Sequence, residues 1–330
     1  MIKTTVVGSY PMFDWLAAFP SQQALEDATM VVLKTQELAG IDLIADGELY
    51  RFDINHPETN GMIEYFVKPL GNVRSDVSRS DIAAFAKKKG MGFRVRPAAV
   101  VEGALHEGIL DLVNAYRRIR PLTKAPMKFT VTGPHMLCKT LLDYHYKDLP
   151  ALAHALAGIL AKQIAEIDAE VLQIDEANLP GSPEEWEWAV SAMNVMLDAV
   201  PTTPAVHLCF GNYGGQTVQK GTWDKLISYI NALHADHVVL EFAHRGYQEL
   251  EYFKDVEKGI GLGVVDIKST VVETPELIAK RLEHATSVLG ENRIRYIHPD
   301  CGFWMLKRSI ANAKIRALTL GRNLFEGRKS

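Results

Sequence analysis

Eight short apolar runs punctuate the chain: TTVVGSY (4–10), DLIADGE (42–48), MKFTVTGP (127–134), VLQIDEA (171–177), AVHLCF (205–210), HVVLEFA (237–243), GLGVVDI (261–267) and RIRYIHPDCG (293–302). They are near-continuous rather than alternating, as strands buried on both faces of a parallel sheet are. Each is followed by a segment of helical character. SQQALEDATMVVLKTQELAG (21–40) has apolar residues at helical spacing and a glycine stop, and ALAHALAGILAKQIAEIDAE (151–170) is similar. TPELIAKRLEHATSVLG (274–290) opens on Thr-Pro, a good N-cap and first-turn pair, and ends on glycine. Strands alternating with helices imply βα units. Eight such units in 330 residues predict an α/β fold, a single (β/α)8 TIM-type barrel over 1–330. An open doubly wound sheet is the competitor, and the first strand lacks the G-x-G-x-x-G turn that would favour it.

Residues 50–126 interrupt the alternation. They hold a polar stretch, a basic run, FRVRPAAVVEG (93–103) and a short helical pattern. They read as an excursion after the second strand, with a strand pair over the barrel mouth. Within it, Lys87-Lys88-Lys89 reads as a solvated helix end.

Composition narrows the function. Hydrophobic residues make up 47% and charged residues 23%, with 36 basic against 40 acidic residues and a net charge of −4. Nothing in that balance suggests a nucleic-acid or membrane surface. The start, MIKTTVVGSYP, is not a signal peptide, and no run is long enough to span a bilayer. Three cysteines, Cys138, Cys209 and Cys301, are too few and too odd for a disulfide framework. A cytoplasmic location is expected.

Polar residues collect where the apolar runs end, which in a barrel is the rim that carries active sites. Ser9, Glu48, Thr132, Asp175, Glu176, Glu241, Asp266, Lys268 and Asp300 all fall there. His207 and Cys209 are two apart in a strand, so both side chains leave the same face. Alone, that pair reads sooner as core packing. Glu241 at the next strand end and Cys301 in PDCG turn it into an N/S/O/S set: His207, Cys209, Glu241 and Cys301. Thiolate and imidazole ligands suit Zn²⁺. Cys138, in MLCKTLLDYHY (136–146), reads as a helix-start bystander, and His234, His237 and His244 read as structural. The aromatics of EEWEW and YHY read as half-buried helix faces.

These residues resemble the catalytic C-terminal zinc barrel of the cobalamin-independent methionine synthase family. The matching pieces are VVGSYP (6–11), DGE (46–48), TGPHML (132–137), QIDEANL (173–179), HLC (207–209), LEFAHRG (240–246), GVVDIKS (263–269) and PDCG (299–302), in the family's order and nearly end to end. With one barrel only, the chain resembles the short branch. The resemblance implies a zinc enzyme that methylates the thiol of L-homocysteine to give methionine. The family's zinc ligands fall on His207, Cys209, Glu241 and Cys301. Its homocysteine contacts fall on Gly8 and Ser9 for the carboxylate and on Glu48 and Asp175 for the amine. The chemistry agrees: a free thiol is mostly protonated at neutral pH, and zinc coordination makes it a thiolate.

Two departures bear on the methyl donor. The long members carry a histidine acid in an Asp-Ile-His motif; here the motif is DIKS, which puts Asp266 and Lys268 in that place. Lys268 acts as an acid if its pKa is lowered, or else pairs with Asp266. The long members also stack folate on a tryptophan after TGP, where this chain has Lys139. A methyl-corrinoid such as methylcobalamin, free or on a corrinoid protein, is therefore the expected donor rather than polyglutamyl methyl-folate. Two alternatives keep the zinc site. One is alkylation of another thiol such as coenzyme M, with Arg51 as sulfonate anchor. The other is a zinc-stabilised, non-catalytic partner of a corrinoid protein.

Overall fold

Eight parallel strands form one sheet that curls and closes on itself. They are β1 (Lys3–Thr4), β2 (Ile44–Ala45), β3 (Met127–Thr132), β4 (Val171–Glu176), β5 (Thr203–Leu208), β6 (His237–Leu240), β7 (Gly259–Val265) and β8 (Ile294–Pro299). β1 pairs with β8, and a parallel bridge between Thr5 and Leu43 joins β1 to β2. The fold comes from a computed structural model that describes residues 1–53, 55–56, 59–88, 94–213, 216–290 and 292–328. Every strand falls on or against one of the apolar runs, and β3, β4 and β7 are buried at every position, as a barrel wall between core and helices demands.

The helices keep the limits that their end residues set. Ser21 Oγ accepts the Ala24 N–H at the head of Gln22–Leu38, and Gly40 follows with φ of 77°. Thr274 caps Pro275–Leu289, which stops at Gly290 with φ of 91°. The sixth unit departs from the pattern. Between β6 and β7 the connection carries only the 3₁₀ stretch Gln248–Phe253. The YHY residues likewise lie in a bend, because the helix holding Cys138 ends at Thr140.

The excursion does carry a strand pair, Gly71–Arg74 antiparallel to Val100–His106. A third strand, Leu142–Asp143, joins from beyond β3. Lys88 corrects the solvated-helix reading of the basic run. Its Nζ donates to the carbonyls of Cys138, Lys139 and Leu141 at 3.0, 2.7 and 3.1 Å. It thus satisfies the free carbonyl end of Pro134–Thr140. Burial pushes its amine down to about 8. Lys89 and Phe93 lie outside the described residues. Among the described residues no helix is long and apolar enough to cross a membrane.

The last helix, Arg308–Phe325, holds the rim loop after β7. Lys314 is fully buried, and its ammonium donates to the carbonyls of Asp266 and Val271 and to Glu273 Oε2, at 2.9, 2.6 and 2.8 Å. Lys314→Met leaves Glu273 buried without this partner. It should lower unfolding stability by about 3 kcal/mol, read as a shifted urea midpoint with an unchanged slope; an unmoved midpoint would rule that anchor out.

Candidate functional site

The C-terminal ends of β5 and β8 bring three soft donors together. One ligand atom each from His207, Cys209 and Cys301 lies within 4.8 Å of the others. His207 projects from β5 in register with Asp175 of β4 and Val239 of β6. Its Nδ1 bonds the Val239 carbonyl at 3.0 Å, so Nδ1 carries the hydrogen, and Nε2 is buried with no partner. A lone pair held toward two thiols by a bond on the far nitrogen is the arrangement of a metal-binding imidazole. Cys301 is held well below the usual thiol range. A hydrogen bond from Cys209 is the largest cause; burial opposes it and His207 adds to it. The donor set therefore fits zinc by residue type and by a buried ring nitrogen aimed at two thiols.

Glu241 stands apart from those three. It is fully buried at the end of β6, with Oε2 3.4 Å from Lys268 Nζ and Oε1 unpartnered. Burial pushes its carboxyl up to about 7. The loop that follows is pinned by Asp300, which accepts the N–H groups of Phe242, Ala243 and His244 at 3.0, 2.9 and 2.7 Å. Gly263 makes room for it, since a Cβ there would overlap Asp300 Oδ1.

Lys268 and Asp266 differ from the sequence reading. Burial works to lower the Lys268 amine, but Glu241, Cys301, Cys209 and Asp300 outweigh it and hold the ammonium above its ordinary range. That is the wrong direction for an acid made by a lowered pKa. Nor does the ammonium pair with Asp266. Asp266 Oδ1 accepts the Lys268 backbone N–H at 2.8 Å, and Oδ2 faces His244 Nδ1 at 3.1 Å. Neither Asp266 nor Lys268 lines the cavity that holds the thiols.

That cavity is lined also by Ser9, Glu48 and Asp175, so residues read as one site from five strand ends do share one space. Gly8 sits behind it: a Cβ there would overlap Glu48 Oε1. Gly302 stands in the same relation to Ser9 Oγ. Glu48 has a left-handed backbone, φ 60° and ψ 20°, directly after Gly47 at φ 82°. A non-glycine residue there is strained. Its carboxylate is fixed by Thr130 Oγ1 at 2.6 Å and by Arg51 Nη1 at 3.5 Å. Burial pushes the Asp175 carboxyl up to about 7; His207 pulls against this and Glu48 adds to it.

Several site residues were not legible beforehand. Asn60, Met62, Ile63 and Arg94 come from the excursion and wall the cavity. Trp304, two residues past PDCG, stands 42% exposed at its mouth; an aromatic so near Cys301 was the one available signal. Arg51 is not a free sulfonate anchor, because its Nη2 donates to the Thr130 carbonyl at 2.6 Å and to Tyr50 at 3.1 Å. Lys139 turns away to Glu185 at 2.8 Å. His135 lies between Glu176 and Glu185, at 3.3 and 2.7 Å.

Comparison with known proteins places these features. The family model described as cobalamin-independent synthase, catalytic domain, matches residues 2–320. A methionine synthase of Sulfurisphaera tokodaii is 26% identical across 97% of this chain and 91% of its own length. One of Thermococcus kodakarensis is 28% identical across 97% and 92%. Among solved structures, a B12-independent methionine synthase from a Shewanella species, in complex with selenomethionine, superposes with a TM-score of 0.83. It is 23% identical and covers 99% of this chain and 98% of its own, which is a likeness of fold.

Proposed function

Because this chain belongs to the cobalamin-independent methionine synthase family, a family of zinc-using homocysteine methyltransferases, we propose that it methylates the thiol of L-homocysteine at zinc held by His207, Cys209 and Cys301, with Glu241 as the fourth ligand. The observation that carries this reading is the convergence of those three donors in one cavity with Ser9, Glu48 and Asp175. Zinc bound there supplies the substrate sulfur as a thiolate at neutral pH. Everything else falls to the chain. Glu48 and Asp175 take the substrate ammonium. Asp175, raised by burial, gains an opposite charge when that ammonium arrives and so becomes ionised. Gly8 and Ser9 take the carboxylate. Glu241, with Oε2 facing Lys268 and Oε1 unpartnered, would complete the donor set of a bound zinc.

The donor we propose is a methyl-corrinoid. Lys268 Nζ faces Glu241 Oε2 at 3.4 Å, and Lys139 is consumed by Glu185. No folate-type acid or aromatic platform is thereby offered at either place. A corrinoid leaves with its electron pair on cobalt and needs no proton, whereas a folate amine does. A methyl-transfer assay with zinc-loaded protein and homocysteine, run with methylcobalamin and with methyl-tetrahydrofolate, tests both parts. Methionine from methylcobalamin alone is the expected result. Methionine from folate would overturn the donor, and none from either, with zinc bound, would move the reading to another thiol or another methyl donor. Lys268→Ala should change the corrinoid-driven rate by less than about tenfold, against the about 10²–10⁴-fold cost of losing a general acid. A loss in that larger range would restore Lys268 as the acid.

A further inference from the structure

One layer nearer the start of the strands, the barrel interior holds a lysine. Lys128 of β3 is 1% exposed, and its ammonium donates to Gln173 Oε1 at 2.8 Å. Gln173 lies on β4, fully buried, two residues before Asp175. Its Nε2 donates to Asp175 Oδ1 at 2.8 Å and to the Val7 carbonyl at 3.0 Å. Val7 directly precedes Gly8 and Ser9. A single side-chain amide thus ties together the two strand ends that carry the two halves of the amino-acid clamp.

The orientation of that amide is not free. The lysine ammonium has donors and no acceptor, so the amide oxygen faces it. With the oxygen held by Lys128, both amide hydrogens are left for Asp175 and Val7. Turned over, the oxygen would meet a carboxylate and a carbonyl, and the amide hydrogens would meet the ammonium. Each of those contacts is repulsive in a buried site.

We infer that Lys128 is a positioning residue for substrate selection: by holding Gln173 in one orientation it sets Asp175 and the Val7–Ser9 segment in the geometry that selects an α-amino-acid thiol. The inference rests on the homocysteine reading above. The lysine also brings the interior a cation facing Glu48 and Asp175. Burial pushes its amine down to about 7 while those carboxylates pull it up.

Binding without turnover tests this apart from catalysis. Cobalt(II) replaces zinc, and the sulfur-to-cobalt charge-transfer band is followed as homocysteine or 4-mercaptobutyrate is added. The second thiol lacks only the amino group. The wild-type protein should prefer homocysteine; no preference would overturn the homocysteine reading itself. Lys128→Met should lower that preference by about tenfold, the worth of one hydrogen bond to a charged group, since any shift of the Val7–Ser9 segment weakens both thiols alike. Gln173→Glu keeps the volume and an acceptor for Lys128 but sets an oxygen against Asp175 or Val7. It should lose the preference to the same extent, and it carries the test if Lys128→Met fails to fold. The double variant should lose no more than either single one. A wild-type preference retained in Gln173→Glu would overturn the inference.

Discussion

Cys301→Ser should release the metal and reduce kcat/KM for homocysteine by at least about 10³-fold, beyond the 10–100-fold typical of outer-shell changes. Cys301 is the thiol with the strongest thiolate character, held low by Cys209 and His207. A serine hydroxyl is a hard donor that stays protonated at neutral pH. It offers zinc neither charge nor softness. His207 Nε2 would return to being a buried nitrogen with no partner. Cys138→Ser is the control, because Cys138 is buried on the helix Pro134–Thr140 with its Sγ on the His135 carbonyl at 3.2 Å. Metal content by chelator titration and rate by methionine formation should fall together in Cys301→Ser and in neither measure in Cys138→Ser. Full zinc occupancy with an unchanged rate in Cys301→Ser would remove it from the site.

The second large effect comes from the amine pocket. Glu48→Gln should cost about 10²-fold in kcat/KM, within the 2–5 kcal/mol typical of removing one partner of a buried charge pair. Gly8→Ala should approach the same loss without touching the carboxylate chemistry. The added Cβ would overlap Glu48 Oε1, and that oxygen has little room to retreat, being bonded to Thr130 and faced by Arg51. Both changes should raise KM more than they lower kcat, and both should spare zinc content. If Gly8→Ala binds homocysteine normally, the carboxylate of Glu48 is not where the amine docks.

The parts of this molecule that could be read in advance share a physical origin. Strands buried on both faces must be apolar throughout, so all eight were visible as runs. Helix ends at Ser21, Thr274 and Gly290 carry side chains or backbone angles that only a cap requires. His207 and Cys209 announced themselves by the two-residue period of a strand. The hidden parts depend on long-range geometry. Leu142–Asp143 is two residues long, and nothing local says that it joins a strand forty residues earlier. Lys88 looks like a solvent-facing charge, and Lys128 shows no partner inside its own run, until the chain returns to supply carbonyls for one and an amide for the other. The pairing of Lys268 with Glu241 rather than Asp266 is of the same kind. An i,i+2 neighbour is legible, but a partner 27 residues away is not.

The barrel wall is not uniform around its circumference. β1 and β2 are two residues each and meet at the single Thr5–Leu43 bridge, stitched from outside by Asp42, which accepts from Thr4 and Arg322. β4 and β5, by contrast, are in register over six residues. A closed sheet parts first where the fewest ladder bonds must break, so thermal breathing concentrates at this seam. Ser9 and Glu48 stand at the top of its two sides, while His207 and Cys209 stand on the well-laddered arc opposite. Amide hydrogens along the seam therefore exchange with solvent by smaller openings than those of β4 and β5. Such openings would loosen the amine pocket from the Ser9 and Glu48 side, away from His207 and Cys209.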